Sequence, residues 1–284
     1  MSMSYQQKTS RFRRLHQGPS ILVLPNAWDA VSAKIFAALG FPAIGTTSAG
    51  VANSLGYADG ENIPLDEMLF MIKRIVDTVD LPVSADLEAG YTNDPSQLAV
   101  TTASVIALGV VGINLEDSSP ANELIDIDLQ TEKLRAVRSA ASSVGAELFI
   151  NARVDIYLLG LGSQDERFRN TLSRAHAYID AGADSIFIPG VIDPQVIESL
   201  ARKISVPINI LAVRNSPPVA VLEELGVARV SLGSGPMRAC STLARRIGQE
   251  LLGEGTYSSF TQDALTYKEM NDLLQNTAVT ATPV

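Results

Sequence analysis

"PVSADLEAGYTNDPSQLAVTTASVIALGVVGINLE", residues 82–116, decides the fold. A short apolar run (82–87) leads into a helix-length segment, "DPSQLAVTTASVIALG", which stops on a glycine suited to a helix C-cap before a second apolar run, 112–116. Strand, helix and strand in so short a span make the crossover unit of a parallel sheet. The same alternation extends in both directions. Strands are predicted at 21–25, 43–47, 82–87, 112–116, 148–154, 185–190, 207–211 and 229–233, with helical patterns such as "AVSAKIFAALG" and "LDEMLFMIKRIVDTV" between them. Eight strand-helix units in series predict an α/β fold, a (β/α)8 TIM barrel over residues 1–254 with an N-terminal helical lead-in. A doubly wound sheet is the competing architecture. Residues 255–284 read as an extra C-terminal helical tail whose apolar face has no obvious site on its own barrel.

A barrel of this kind builds its active site where the strands run into the following loops. Asp86 and Glu88 stand at such an end, one residue apart, and strand alternation would turn both to the same face. Converging carboxylates repel unless a proton or a cation lies between them. Glu116, ending the fourth strand, adds a third, and this oxygen-rich set suits Mg²⁺, with Mn²⁺ as the alternative. Two histidines, His16 and His176, are too few for a His-based metal cluster. Arg153 on the fifth strand can clamp a substrate carboxylate or phosphonate, and it can also bridge Glu116 and Asp155 as a core ion pair. Asn209, on the seventh strand, is a further polar residue placed to meet substrate, and the turn "TTSAGVA" (46–52) can offer backbone N–H groups to an anion.

With 46% hydrophobic residues in a chain of 284 and no Pro/Gly/Ser-rich linker, one large core is expected. A formal net charge of −9 argues against a nucleic-acid or anionic-membrane surface, leaving a small-molecule substrate as the expected partner. The basic N-terminus "MSMSYQQKTSRFRRLHQ" lacks the apolar core of a secretory signal, and no stretch has the length of a membrane span, so a cytoplasmic protein is expected. The single cysteine, Cys240, excludes an internal disulfide and reads as a small buried hydrophobe in a helix.

Five segments in fixed order carry a resemblance: "PNAWDA" (25–30), "GTTSAGVA" (45–52), "ADLEAGY" (85–91), "GINLEDS" (112–118) and "INARVD" (150–155). Together they look like the isocitrate lyase and phosphoenolpyruvate mutase superfamily, across roughly residues 10–255. The resemblance implies a Mg²⁺-dependent barrel that makes or breaks C–C or P–C bonds beside a 2-oxo acid carboxylate, through an enolate. It implies metal contacts from Asp86, Glu88 and Glu116, and substrate contacts from Asp86, Arg153 and the amides of Thr47, Ser48 and Ala49. Catalytic roles fall on Arg153, Glu116 and, from a mobile loop in "GYADGEN", Asp59. A homo-oligomer is implied too, a tetramer formed as a dimer of helix-swapped dimers.

The departures also count. Isocitrate and methylisocitrate lyases carry a Lys-x-Cys-Gly-His signature after the fourth strand, whereas here residues 117–128, which end in "PANELIDID", include no Cys, Lys or His. The mutase's own Lys- and Asn-bearing loop is missing as well. What remains expected is the shared half of the chemistry: a lyase or decarboxylase acting on a small 2-oxo or 2-hydroxy di- or tricarboxylate. A P–C hydrolase or mutase on a phosphonopyruvate-like compound, and a noncatalytic 2-oxo acid binder, stand as alternatives. A Schiff-base aldolase would need a strand-end lysine, yet Lys34, Lys73, Lys133 and Lys203 fall in helical patterns or a linker and Lys268 in the tail.

Overall fold

The structure is a computed structural model that describes residues 2–262 and 264–275. After a leading helix, α1 (Tyr5–Leu15), the chain alternates strand and helix. The strands are β1 (Leu22–Leu24), β2 (Asn26–Ala27), β3 (Ile44–Thr46), β4 (Val83–Asp86), β5 (Gly112–Glu116), β6 (Phe149–Arg153), β7 (Ser185–Ile188), β8 (Ile208–Leu211) and β9 (Arg229–Ser231). Around them run α2 (Ala30–Ala38), α3 (Ser48–Ser54), α4 (Leu65–Thr78), α5 (Pro95–Ala107), α6 (Ile127–Ser143), α7 (Gln164–Asp180), α8 (Pro194–Lys203) and α9 (Val219–Glu224). After β9 comes α10 (Gly235–Gly253), and the tail supplies α11 (Ser258–Thr261) and α12 (Tyr267–Gln275).

All strand pairs are parallel, in the order β1-β9-β8-β7-β6-β5-β4-β3-β2, so the sheet is a nearly closed barrel inside a ring of helices. The nine strands correspond to the eight expected because the first is in two pieces. Pro25, which has no N–H to give a ladder, separates β1, paired with β9, from β2, paired with β3. Asn26 fastens the seam: its Nδ2 donates to Thr46 O (2.7 Å), and its Oδ1 accepts from Leu232 N (2.8 Å) and Gly233 N (3.0 Å).

Local sequence explains the helices. Asp94 and Asp193 cap α5 and α8, each followed by a proline at the first helical position, and Ser163 with Glu166 forms a capping box on α7. In α4 the buried Met68, Ile72 and Ile75 recur at helical spacing and face the barrel. The far end of the barrel is plugged by α1. Its Phe12 meets Phe149 edge-on, with ring centres 5.3 Å apart, and lies where a side chain at Gly112 would come within 2.9 Å of Phe12 Cε1. His16 stacks on Phe149 and donates Nδ1–H to Phe12 O (2.8 Å); burial and then Arg229 push its pKa down to about 3, so it is neutral.

Two expectations are corrected. Strand β4 stops at Asp86, and Glu88 lies in a left-handed turn (φ 51°), so strand alternation does not place it. Cys240 is exposed rather than buried, because α10 runs along the outside and buries Met237 alone. Helix α12 rests on α2 yet buries none of its residues. The expected tail covers 255–284, of which 263 and 276–284 lie outside the described residues. No helix among the described residues is long and apolar enough to cross a membrane.

Candidate active site

A cavity of about 320 Å³ opens at the C-terminal ends of the strands. Ser48, Glu88, Glu116 and Arg153 come to it from strand ends and the residues just after them; Asp59 and Glu61 come from the loop before α4. The segments after β5 and β6 complete the wall with Ser118, Ser119, Pro120, Asn122, Leu158 and Leu159.

Asp86 lies just beneath, 9% exposed, and its carboxylate is oriented from several sides. Ser48 donates both its N–H (3.1 Å) and its hydroxyl (2.8 Å) to Oδ2, while Asn114 Nδ2 donates to Oδ1 (3.3 Å). Asn114 is itself fixed, because its Oδ1 accepts from Asn151 Nδ2 (2.8 Å) and from Arg229 Nη2 (3.3 Å). Ser185 in turn donates to Asn151 Oδ1 (2.5 Å). A buried polar network thus crosses the barrel from β7 to Asp86. Arg229, 1% exposed, has no hydrogen-bond partner for Nε or Nη1 among the described residues; burial pushes its pKa down to about 9 and Asp86 works against that. It remains a cation at neutral pH, beneath the site.

The second ion cluster surrounds Arg153. Its Nη1 pairs with Glu116 Oε2 (2.5 Å) and its Nε with Asp155 Oδ1 (2.6 Å). Burial opposes its charge, but Glu116, Asp155 and Asp86 outweigh burial and hold its pKa above the ordinary value. Asp155 accepts a hydrogen bond from Ser118 and gives its backbone N–H to Asp117 (2.8 Å). Asp117, fully buried, also binds Arg174 (3.0 Å) and Tyr178 (2.7 Å).

The acids outnumber what these cations can neutralise. Burial, reinforced by Asp86 and Asp59, pushes Glu88 up to about 7 against hydrogen bonds from Glu61 and Tyr91. Burial raises Glu116 well above the carboxylate range; Arg153 opposes it with a charge it already shares with Asp155. Asp59 is raised by burial and by Asp86. Lys133, fully buried, gives its Nζ to Ala89 O (2.5 Å), bracing the turn that carries Glu88.

The loop bearing Asp59 is fastened over this cluster. Glu61 N–H donates to Glu88 Oε2 (2.6 Å), Tyr91 N–H to Glu61 Oε1 (2.7 Å), and Tyr91 OH to Glu88 Oε1 (3.1 Å). All three residues are left-handed, with φ of 57°, 51° and 62° for Glu61, Glu88 and Tyr91. Such strain in non-glycine residues persists where surrounding contacts enforce it, and it is frequent at functional sites.

Among the described residues no three His, Cys, Asp or Glu side chains are gathered as a ready-made metal shell. Mg²⁺ does not require one, since it keeps several waters and commonly takes one or two carboxylates from protein. The donors here fit it. They are all oxygen, Asp86 is pre-oriented by Ser48 and Asn114, and the carboxyl groups of Glu88 and Glu116 are both raised by burial and by neighbouring acids.

The other residues anticipated from sequence are placed as follows. Thr47 caps α3, its side chain accepting from Gly50 N (3.3 Å), and its own N–H donates to Ala27 O (3.1 Å). Two amides of the anticipated anion turn, those of Thr47 and Ser48, are therefore engaged internally, and Ala49 follows them within α3. Asn209 is buried beside Ser231, bonded at 3.2 Å, and is not part of the cavity wall. Glu61, Lys133 and Arg229 were not anticipated, and Asn114 and Asp117, polar residues at the end of the fourth predicted strand, had no role that sequence could assign. A charge in the apolar eighth strand, two residues before Ser231 and therefore on the same face, was the available signal for Arg229.

Comparison with known proteins identifies the family. The phosphoenolpyruvate phosphomutase family profile matches residues 12–252. An uncharacterized protein of Mycobacterium tuberculosis is 42% identical over 228 residues, 80% of this chain and 83% of that one. An oxaloacetate decarboxylase of Pseudomonas fluorescens is 30% identical over 237 residues, 79% of this chain and 78% of that one. A crystal structure from Burkholderia cenocepacia, provisionally described as a phosphonomutase, superposes with a TM-score of 0.81 at 41% identity, covering 85% of this chain and 99% of that one. The match spans the barrel and every strand end that carries the cavity, and the chain belongs to the phosphoenolpyruvate phosphomutase family.

Proposed function

We propose that this protein is a Mg²⁺-dependent enzyme that breaks or makes a C–C bond beside the keto group of a small 2-oxo acid, through an enolate. The observation that carries this reading is a strand-end cavity in which four acids, Asp59, Glu61, Glu88 and Glu116, face one arginine. Asp86, Glu88 and Glu116 would hold the metal, directly or through water. When bound, Mg²⁺ supplies a Lewis acid to the keto oxygen. Arg153, in the cavity wall, offers its guanidinium to the substrate's oxygens, and Ser48 and Asn114 keep Asp86 oriented. Asp59, whose raised pKa makes it the stronger base when ionised, moves a proton at the far side of the bond. The clasp of Glu61, Glu88 and Tyr91 keeps the loop shut and limits water. The related oxaloacetate decarboxylase supports the reaction class.

The test is Mg²⁺-dependent exchange of the C3 protons of pyruvate or 2-oxobutyrate in deuterated water, followed by proton NMR. Exchange is expected with Mg²⁺ and absent with chelator. If neither acid binds or exchanges, the reading falls.

The tail supports a second proposal, a homo-oligomer closed by exchange of the C-terminal helices. In the single chain Leu252 is 92% exposed and Tyr267 is 88% exposed, and α11 and α12 bury nothing. Deletion after residue 254 should reduce the assembly seen by sedimentation. A full-length chain that sediments as a monomer refutes the exchange.

A further inference from the structure

Which 2-oxo acid the site accepts can be argued from its outer half. The strand-end part of the wall carries the charge: Glu88, Glu116 and Arg153. Farther out, the segment after β5 contributes Ser118, Ser119 and Asn122, which are neutral, and Pro120, while the segment after β6 contributes Leu158 and Leu159. The loop on the remaining side brings Asp59 and Glu61, two more acids. Among the described lining residues Arg153 is the single cation, and two of its three nitrogens are committed to Glu116 and Asp155. Bound Mg²⁺ would add two positive charges, which Asp86, Glu88 and Glu116 together offset, so Arg153 is left to match one anionic end of a substrate. A second carboxylate or a phosphonate reaching outward would meet Asp59 on one side and leucine on the other, and a desolvated anion without a partner is strongly disfavoured.

The leucine wall is built in. Gly190, at φ 86°, lies just after β7, where a Cβ would come within 2.7 Å of Leu158 N and 2.8 Å of Leu158 Cα. Only glycine lets the backbone carrying Leu158 pack this closely. Leu159 N–H is tied to Asp155 O (2.9 Å), so the apolar pair is anchored to the residue that pairs with Arg153. Leu158 is left 47% exposed, an apolar side chain at the mouth without a protein partner to cover it.

We propose that the substrate is a 2-oxo acid with a single negative charge, of the 4-hydroxy-2-oxo monocarboxylate class, whose 4-alkyl group lies against Leu158, Leu159 and Pro120. This rests on the reading of the site as a 2-oxo acid enzyme and narrows it. In the cleavage direction the C4 hydroxyl gives its proton to the Asp59 carboxylate, and the C3–C4 bond breaks. Its electron pair enters the C2–C3 enolate while C4 becomes an aldehyde or ketone carbon. C3 then takes up a proton, releasing a 2-oxo acid. No oxidant, reductant or water is consumed, and both products fit the wall that holds them, one anionic and one neutral. The reverse is addition of a 2-oxo acid enolate to a small carbonyl compound.

Two measurements test the class, both on the full chain with Mg²⁺. Calorimetry compares 2-oxopentanoate with 2-oxoglutarate, which differ in a terminal charge. The monocarboxylate should bind about tenfold or more tightly. Coupled pyruvate detection compares 4-hydroxy-2-oxopentanoate with oxaloacetate and phosphonopyruvate, and the hydroxy acid should have the highest kcat/KM. Equal or better use of oxaloacetate or phosphonopyruvate, or equal binding of 2-oxoglutarate, overturns the inference and leaves the broader reading standing. Failure of every 2-oxo acid to bind overturns the broader reading instead. Leu158→Arg supplies the missing cation and should move the binding preference toward 2-oxoglutarate by about tenfold, at an unchanged melting temperature. Leu159→Arg serves if that variant does not fold, and an unmoved preference in a folded variant counts against the inference.

Discussion

Arg153→Lys should lower turnover of a 2-oxo acid by about 10²–10³-fold, the usual cost of removing one donor from an oxyanion site, while leaving most of the stability in place. Lysine keeps the positive charge between Glu116 and Asp155 but loses the fork that serves both through separate nitrogens. Arg153→Ala differs in kind. It leaves Asp155, which is fully buried, without its ion-pair partner and removes the cation bonded to Glu116, so about 3–5 kcal/mol of stability should be lost with the activity. The sequence motif alone suggests that alanine would hurt turnover far more than stability. The ion pairs show that only lysine separates the two effects. Steady-state kinetics with urea unfolding decides the matter; a lysine variant with near-native turnover would remove Arg153 from the reaction.

That contrast marks where the sequence could be read and where it could not. The alternation of apolar runs and amphipathic helices is a local property, so the barrel was legible, as were the strand-end positions of Asp86, Glu116 and Arg153. Partnerships across the barrel depend on register and curvature. Asp117 lies some way along the chain from Arg174 and Tyr178, neighbours on α7 that bond its carboxylate, and that carboxylate accepts from the Asp155 backbone; no local pattern announces that. Pro25 reads in sequence as the end of a strand, but it is the break that lets one strand pair with both β9 and β3. Glu88 looks like a strand residue because "ADLEAG" alternates, yet Gly90 N–H bonds to Leu87 O (2.8 Å) and coils the chain before alternation can act. Cys240 looks interior because cysteine is among the residue types most often buried, yet α10 buries only Met237 and leaves Cys240 exposed.

Mg²⁺ should stabilise the protein, and by more at pH 8 than at pH 5, with Asp86 as the residue on which the effect depends. The sign follows from Glu88. Its pKa rises from an ordinary 4.5 to about 7 in the folded chain, so between those values the folded state holds a proton that the unfolded state has released. The associated stability is fully present below about pH 4.5 and is lost as pH rises through about 7, on the order of 3 kcal/mol for a group only 3% exposed. Glu116, raised in the same direction, extends the loss to higher pH. A divalent cation favours the ionised carboxylates, so its benefit grows over the pH range in which the metal-free protein weakens. At a hundredfold excess over Kd, ligand binding adds about 2.7 kcal/mol. Asp86→Ala should abolish the response, but it also removes the charge nearest Arg229 and can cost the fold. Asp86→Asn, nearly the same shape, keeps an acceptor for Ser48 and separates the two causes. It should fold, keep most of the stability loss that Glu88 imposes as pH rises, since burial is the larger cause of that shift and Asp86 a smaller one, and lose at least about tenfold in Mg²⁺ affinity. Melting curves across pH with and without Mg²⁺, together with calorimetry on the asparagine variant, supply the reading. A Mg²⁺ effect that is flat with pH, or undiminished in Asp86→Asn, would move the cation away from this cluster.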